Sequence, residues 1–133
     1  MRLSILALLA CLAAKPAAAQ SPASEQPFRL FFDWGKPELT RDAQATLDEV
    51  VAAYHRLQPN RVEIAGHADR SGPDADNLAA SRRRAAAVKT YLAAHGVAAA
   101  AISVSAYGET RPIIVTEDGV REAQNRRVEI SFN

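Results

Sequence analysis

The sequence predicts an α+β domain, a two-layer sandwich in which two helices cover one face of a mixed four-stranded sheet, in the order β-α-β-α-β-β. Four short segments alternate apolar and polar residues, which is typical of half-buried strands. Two longer segments between them carry apolar residues at helical spacing. The chain has 133 residues, of which 48% are hydrophobic and 23% charged, and this composition is typical of one globular domain.

The first strand and the first helix are separated by a turn signal. The segment from Phe28 to Phe32 alternates, so Phe28, Leu30 and Phe32 share a face. Gly35-Lys36-Pro37 then predicts a turn, and Thr40 is the expected N-cap of a helix that reaches about Leu57. The apolar stripe of that helix comprises Leu47, Val50, Val51, Tyr54 and Leu57.

The second strand and the second helix follow the same plan. The strand is expected from Arg61 to His67 because its apolar residues alternate. A polar loop, Asp69 to Asp76, leads to a helix from about Asp76 to His95. Gly96 stands where a left-handed helix C-cap is expected.

The last two strands are Ile102 to Tyr107 and Arg127 to Phe132, both alternating. Residues 102, 104 and 106 of the first share one apolar face. The loop between the strands, Gly108 to Gln124, has about 17 residues and is longer than most connections. We therefore expect it to have a function or to contain a short additional helical turn.

The N-terminal residues predict a targeting segment. Arg2 precedes a short apolar run, Leu3 to Ala14, and Ala17-Ala18-Ala19 provides an A-x-A cleavage site. The run is too short to span a bilayer, which needs about 20 apolar residues. The expected organisation is a signal peptide over residues 1–19, a linker over 20–27 and one domain over 28–133. An alternative is lipidation at Cys11, which follows Leu8-Leu9-Ala10 as in bacterial lipoproteins.

Composition disfavours several classes of function. The 16 Lys and Arg residues are balanced by 15 Asp and Glu residues and do not form a basic tail, so a nucleic-acid binder held by phosphate contacts is disfavoured. One Cys cannot form an internal disulfide or a Cys-rich metal site. The three His residues lack the spacing of zinc hydrolases, and we expect neither a metal nor a cofactor.

The second helix carries a candidate binding face. Asn77 and Arg84 are seven residues apart, so they project in nearly the same direction. They lie at one edge of the apolar face, where packing can hold a side chain whose tip remains accessible. Arg82 and Arg83 project elsewhere and are expected to be solvated. The apolar face comprises Leu78, Ser81, Ala85, Val88 and Leu92.

Four motifs occur in order along the chain. They occupy residues 66–72 (GHADRSG), 77–92 (NLAASRRRAAAVKTYL), 107–112 (YGETRP) and 125–130 (NRRVEI). Their order and spacing resemble those of a known family, the OmpA-like peptidoglycan-associating domain, which is found in outer-membrane protein A, the peptidoglycan-associated lipoprotein and flagellar stator proteins. The resemblance extends from about Phe28 to Phe132. It departs from the family pattern at Ala80, where Leu is usual.

The resemblance implies non-covalent binding to the meso-diaminopimelate of the peptidoglycan peptide stem. The family's binding Asp and Arg correspond to Asp69 and Arg84. This pairing suits the ligand, because the free end of diaminopimelate carries an ammonium and a carboxylate on one carbon. Asp69 is expected to bind the ammonium, and Arg84 the carboxylate.

The resemblance also suggests supporting residues. Asn77 is expected to hold either the peptide stem or the loop. Phe32, Asp33 and Trp34 are expected to line the pocket. Tyr107, Gly108 and the run Asn125-Arg126-Arg127 are expected to be structural.

The implied location is the periplasm, in association with the cell wall, or tethered to the outer membrane if Cys11 is lipidated. Peptidoglycan is the expected partner, with outer-membrane or envelope proteins and a weak homodimer as further candidates. One alternative function is a periplasmic protein-interaction module with little wall binding.

A second alternative is a hydrolase that uses His67 and Asp69 with Ser71 or Ser81. It is disfavoured because the sequence has no G-x-S-x-G motif and no carboxylate pair of glycosidase type. We expect no catalytic residue, and His67 is better explained as a packed residue at the end of a strand.

Overall fold

The structure is a computed structural model that describes residues 26–133. The predicted signal peptide (1–19), Cys11 and residues 20–25 of the predicted linker lie outside the described residues. The described elements are β1 (Phe28–Phe31), α1 (Arg41–Leu57), β2 (Val62–Gly66), α2 (Asp74–Ala94), β3 (Ile102–Ala106) and β4 (Arg127–Phe132). Short 3₁₀ turns occupy Ala99–Ala101 and Ala123–Asn125, so the long loop ends in the additional helical turn that its length predicts.

The four strands form one mixed sheet in the order β1-β4-β2-β3. β4 pairs antiparallel with both β1 and β2, whereas β2 and β3 are parallel. The predicted fold class and element order are therefore confirmed.

One face of the sheet packs against both helices to form a single core. Leu30 lies opposite Val128, and Ile64 lies opposite Ile130, so the buried side chains of neighbouring strands align on the same face. The other face carries charged residues such as Arg29, which pairs with Glu129 at 3.1 Å. The largest fully buried apolar residues are Leu30, Leu47, Ile64, Leu92, Ile130, Val50, Val62, Val88 and Val128.

The helix ends follow the sequence closely. Thr40 is the N-cap of α1, and its hydroxyl accepts a hydrogen bond from the backbone N–H of Ala43. Gly96, just after α2, has a φ of 93°, the left-handed conformation expected there. α2 begins at Asp74, two residues earlier than predicted, because Asp74 and Asp76 form an acidic first turn that favours the helix N-terminus.

Two residues of the predicted apolar faces, Leu57 and Val104, are exposed in the structure. Leu57 is the last residue of α1, where the helix surface extends beyond the packed stripe. Val104 lies on β3, which is an edge strand with a neighbour on one side only. Position in the sheet and at the helix end therefore overrides the apolar pattern at these two residues.

Candidate binding pocket

The candidate site begins where β2 ends. A Cβ atom on Gly66 would lie 2.2 Å from the backbone oxygen of Ser81, so only glycine permits this close approach of strand and helix. Ser81 also accepts a hydrogen bond from the backbone N–H of Gly108 at 3.0 Å. The end of β2 and the segment just after β3 are therefore held against the middle of α2, about one turn from Arg84.

Arg84 is a buried cation that forms only long hydrogen bonds. Its side chain is only 3% exposed, and its Cζ atom lies 5.6 Å from the centre of the Phe32 ring. The guanidinium donates to the backbone oxygens of Lys36, His67 and Asp33 at 3.4–3.5 Å, which are long hydrogen bonds. It forms no ion pair within residues 26–133. Burial lowers the pKa of Arg84, although the charge of Asp69 opposes this effect.

Asp69 is equally buried, but its carboxylate is fully bonded. One oxygen accepts from the backbone N–H and the hydroxyl of Ser71, at 3.3 and 2.6 Å. The other accepts from the backbone N–H of Glu122 at 3.0 Å and from Arg126 at 2.9 Å. Burial alone would raise the pKa of Asp69, but the hydrogen bonds from Ser71, Arg126 and Glu122 outweigh it and lower the pKa below its usual value.

Arg126 contacts the site through Asp69, although the sequence predicts only a structural role for it. Besides its ion pair with Asp69, its Nε donates to the backbone oxygen of Phe32 at 3.0 Å. Arg126 thus connects the loop after β1 with the loop after β2. The motif NRRVEI drew attention to the residue, but nothing in that motif indicates a partner 57 positions away.

Asn77 holds the loop between β2 and α2. Its side-chain amide donates to the backbone oxygen of Gly72 at 2.8 Å. This contact realises one of the two roles expected for Asn77. It fixes the segment after Asp69 to the first turn of α2.

Trp34 lies at the edge of the site and is 47% exposed. Its indole Nε1 donates to the hydroxyl of Ser71 at 3.1 Å. The Cζ atom of Arg121 lies 3.5 Å from the centre of the Trp34 rings. Because Arg121 belongs to the loop between β3 and β4, this long loop reaches the site.

These residues surround a pocket of about 220 Å³. It is lined by Trp34, Gly35, Ala68, Asp69, Ser71, Gly72, Asp76, Asn77, Ala80, Arg83 and Arg84. Three larger depressions, of about 610, 420 and 250 Å³, are lined by charged groups that are exposed or already paired. We place the candidate site at the smaller pocket because it contains the buried cation without an ion pair.

Four of the six predicted site residues line this pocket, and two do not. Phe32 is a buried core residue beneath Arg84, since its side chain completes the inward face of β1. Asp33 points its exposed side chain elsewhere and contributes its backbone oxygen to Arg84. Their expected role as lining residues is therefore replaced by support of the Arg84 guanidinium.

The residues expected to be structural make internal contacts. Asn125 is completely buried and hydrogen-bonds the backbone of Ile113 and Ile114 at 2.7–3.0 Å, which fixes the long loop. Gly108 has a φ of 57° and lies against the backbone of Leu78. Arg127 pairs with Glu129 at 2.8 Å.

His67 does not form the arrangement that a hydrolase would need. Its ring is buried and stacked on Tyr107, with 5.5 Å between ring centres, and neither ring nitrogen has a hydrogen-bond partner. Ser71 donates to Asp69 rather than to His67. A nucleophile paired with its base is thus not formed by these residues. Burial, together with the charges of Arg127 and Arg111, lowers the pKa of His67 to about 4.

Two further observations concern residues 26–133 as a whole. None of their helices is long and apolar enough to cross a membrane. Their His, Asp and Glu side chains form no group of three or more that could hold a metal ion.

Comparison with known proteins shows the family of this chain. A model described as the OmpA family matches residues 31–126, which include every predicted site residue. The chain belongs to the OmpA family.

Relatives of this chain include outer membrane proteins and peptidoglycan-associated lipoproteins. An outer membrane protein of Gluconacetobacter diazotrophicus is 39% identical over 116 residues, which are 83% of this chain and 31% of that protein. A peptidoglycan-associated lipoprotein of Rhizobium meliloti is 38% identical over 117 residues, 84% of this chain and 66% of that protein. The chain therefore spans about a third of the length of the outer membrane proteins that it matches.

A solved structure agrees with the fold. The crystal structure of the peptidoglycan-associated lipoprotein from Burkholderia pseudomallei superposes with a TM-score of 0.71 at 27% identity. The match covers 86% of this chain and 95% of that one. The OmpA-family architecture thus extends over nearly all of the described residues.

Proposed function

We propose that this OmpA-family chain binds peptidoglycan non-covalently through the diaminopimelate of the peptide stem and so anchors or scaffolds at the cell wall in the periplasm. The observation that carries the proposal is the buried Arg84 guanidinium, which has no ion pair within residues 26–133 and borders a pocket of about 220 Å³. Relatives named peptidoglycan-associated lipoprotein support the choice of ligand.

The carboxylate of diaminopimelate binds Arg84 in this mechanism. Arg84 donates only long hydrogen bonds to three backbone oxygens, so a carboxylate offers it shorter and charge-assisted bonds. The planar guanidinium suits two parallel bonds to one carboxylate. Because Arg84 is already buried in the free protein, its desolvation contributes no further cost on binding.

The ammonium of diaminopimelate binds Asp69, which requires a rearrangement. A carboxylate has about four acceptor positions, and Asp69 already receives four hydrogen bonds. One donor must therefore turn away when the ammonium arrives. The hydroxyl of Ser71 is the most suitable, because it rotates freely and Ser71 keeps its backbone hydrogen bond to Asp69.

This mechanism selects diaminopimelate over lysine in the peptide stem. Lysine keeps the ammonium for Asp69 but has no neighbouring carboxylate for Arg84. The guanidinium then retains only its long hydrogen bonds, at a cost of about 1–3 kcal/mol relative to the full ligand.

Co-sedimentation with purified sacculi and calorimetric titration with matched stem peptides test the proposal. We expect wild-type protein to sediment with sacculi, to leave them intact and to bind a diaminopimelate peptide more tightly than a lysine peptide. Arg84→Ala is expected to weaken binding of the diaminopimelate peptide by about 30-fold or more, since loss of one partner of a buried charge pair costs about 2–5 kcal/mol.

Arg82→Ala is the matched control, because Arg82 is exposed on the same helix and does not line the pocket. It should bind like the wild type. Near-native affinity in folded Arg84→Ala would contradict the assignment of the site. Equal affinity of the wild type for both peptides would contradict the zwitterion mechanism, even with sacculus binding intact.

A further inference from the structure

Trp34 and Arg121 form a stacked pair at the rim of the pocket. The Arg121 Cζ atom is 3.5 Å from the centre of the Trp34 rings, a distance at which a planar guanidinium lies flat against an indole. The indole is itself oriented by its hydrogen bond to Ser71 at 3.1 Å. The position of the Arg121 charge is therefore set by a side chain that lines the pocket.

The backbone around Arg121 is anchored to the loop that carries Asp69. The N–H of Gly119 donates to the oxygen of Arg70 at 2.6 Å, and the N–H of Glu122 donates to Asp69 at 3.0 Å. These two bonds lie on either side of Arg121 in sequence. Arg121 is thus held at the pocket even though it belongs to the long loop between β3 and β4.

The N–H groups of the Arg121 guanidinium are available as hydrogen-bond donors. It makes no hydrogen bond or ion pair with any other residue from 26 to 133. Stacking uses the face of a guanidinium and leaves its five N–H groups, which lie in the plane, directed outward. A carboxylate in the pocket mouth can accept from them.

Positively charged residues outnumber negatively charged residues around the pocket. Arg83 and Arg84 line it and Arg121 borders it, whereas its acidic residues are Asp69, which is bound to Arg126, and the exposed Asp76. A zwitterionic diaminopimelate end supplies one carboxylate, which Arg84 takes. The excess positive charge at the rim therefore suits a ligand with a second anionic group.

We propose that Arg121, held on Trp34, determines specificity by binding a second carboxylate of the same ligand. This inference rests on the proposed function, because the ligand is the diaminopimelate stem peptide. A stem tetrapeptide offers two such groups, the α-carboxylate of its γ-linked glutamate and its terminal carboxylate. Both have the chemistry that Arg121 recognises, and amidation of either one removes its charge and replaces one acceptor oxygen by a donor.

The test is a calorimetric titration with three diaminopimelate tetrapeptides: one with both carboxylates free, one amidated at the glutamate and one amidated at the terminus. We expect one of the two amidations to weaken binding to the wild type by about threefold to tenfold, a range typical of a partly exposed charged contact. The amidation that has this effect identifies the carboxylate. Arg121→Gln is expected to bind all three peptides with equal affinity.

Further variants separate recognition from folding. Arg82→Gln removes an exposed Arg outside the pocket and should keep the wild-type preference. Trp34→Ala removes the stacking surface and should lose the preference, whereas Trp34→Phe keeps an aromatic ring and should retain most of it. Melting temperatures confirm that each variant is folded.

The contrary outcomes separate the role of Arg121 from the proposed function. Equal affinity of the wild type for all three peptides would overturn the role of Arg121 while leaving the proposed function intact. A preference that survives in Arg121→Gln would do the same. Failure of the wild type to bind any of the three peptides would overturn both the inference and the proposed function.

Discussion

The two walls of the pocket, the loop after β2 and helix α2, carry opposite charges that differ in the strength of their hydrogen bonds. On the loop after β2, Asp69 receives four hydrogen bonds, at 2.6–3.3 Å, from three residues. On α2, Arg84 donates three, all at 3.4–3.5 Å and all to backbone oxygens. Both residues are only 3% exposed, so burial does not account for the difference.

This difference indicates that the charge of Asp69 contributes to the stability of the protein, whereas the charge of Arg84 has no counter-ion among residues 26–133. Through Ser71, Glu122 and Arg126, the Asp69 carboxylate joins its own loop to the segment between β3 and β4, so its charge is satisfied internally. Arg84 lacks an ion pair within residues 26–133, so its charge is available. Variants of the two residues should therefore affect different quantities.

The largest expected effect on stability is that of Asp69→Asn. This change leaves the mostly buried Arg126 without its ion pair and replaces one acceptor oxygen by a donor that faces other donors. Loss of one partner from a buried charge pair costs about 3–5 kcal/mol, and we expect about 3–4 kcal/mol here. Urea denaturation monitored by circular dichroism measures the change.

Asp76→Asn is the matched control for that experiment. Asp76 lines the same pocket but is exposed, so its substitution should cost about 1 kcal/mol or less, from its place in the acidic first turn of α2. Equal stability of Asp69→Asn and the wild type would show that the network around Asp69 does not hold the loops together.

Local sequence signals predict much of the fold. Thr40 marks the start of α1, Gly96 follows α2 in the left-handed conformation, and β4 has the predicted bounds Arg127–Phe132. Each of these features depends on residues close together in the chain. The edge position of Val104 could not be predicted in this way, because strand order is set by long-range pairing.

The same distinction applies to the pocket. The proximity of Asn77 and Arg84 follows from helix geometry, and both line the pocket. The partners of Asp69 do not follow from local spacing, since Arg126 and Glu122 come from a distant loop. Arg121 has no local signal either, because its position depends on a ring that is far away in sequence.

A smaller effect on stability is expected at acidic pH from His67, on the same side of the pocket as Asp69. In the unfolded chain the imidazole binds a proton near pH 6.5, whereas in the folded protein the pKa is about 4. The unfolded state therefore binds more protons between these values. The stabilisation that comes from burying neutral His67 is fully present above pH 6.5. It is lost as the pH falls from 6.5 through 4, and the free energy of unfolding decreases by about 2–3 kcal/mol.

His67→Phe isolates this contribution, because Phe can stack on Tyr107 but does not titrate. The charged groups around His67 are Arg127, Arg111 and Glu129, and all three are kept in the variant. Urea denaturation at pH 7, 5.5 and 4.5 should show a decline in the wild type that is much smaller in the variant. Parallel pH profiles of the two proteins would contradict the assignment to His67.

The smallest expected effect on stability is that of Arg84→Met, which removes the charge but keeps a long side chain against Phe32. Replacement of a buried charge by an apolar side chain of similar length is often neutral or stabilising. The oxygens that Arg84 reaches at 3.4–3.5 Å lose only weak hydrogen bonds. We therefore expect the free energy of unfolding to change by about 1 kcal/mol or less in urea denaturation. A loss as large as that of Asp69→Asn would mean that both charges hold the fold, and the difference between the two walls would disappear.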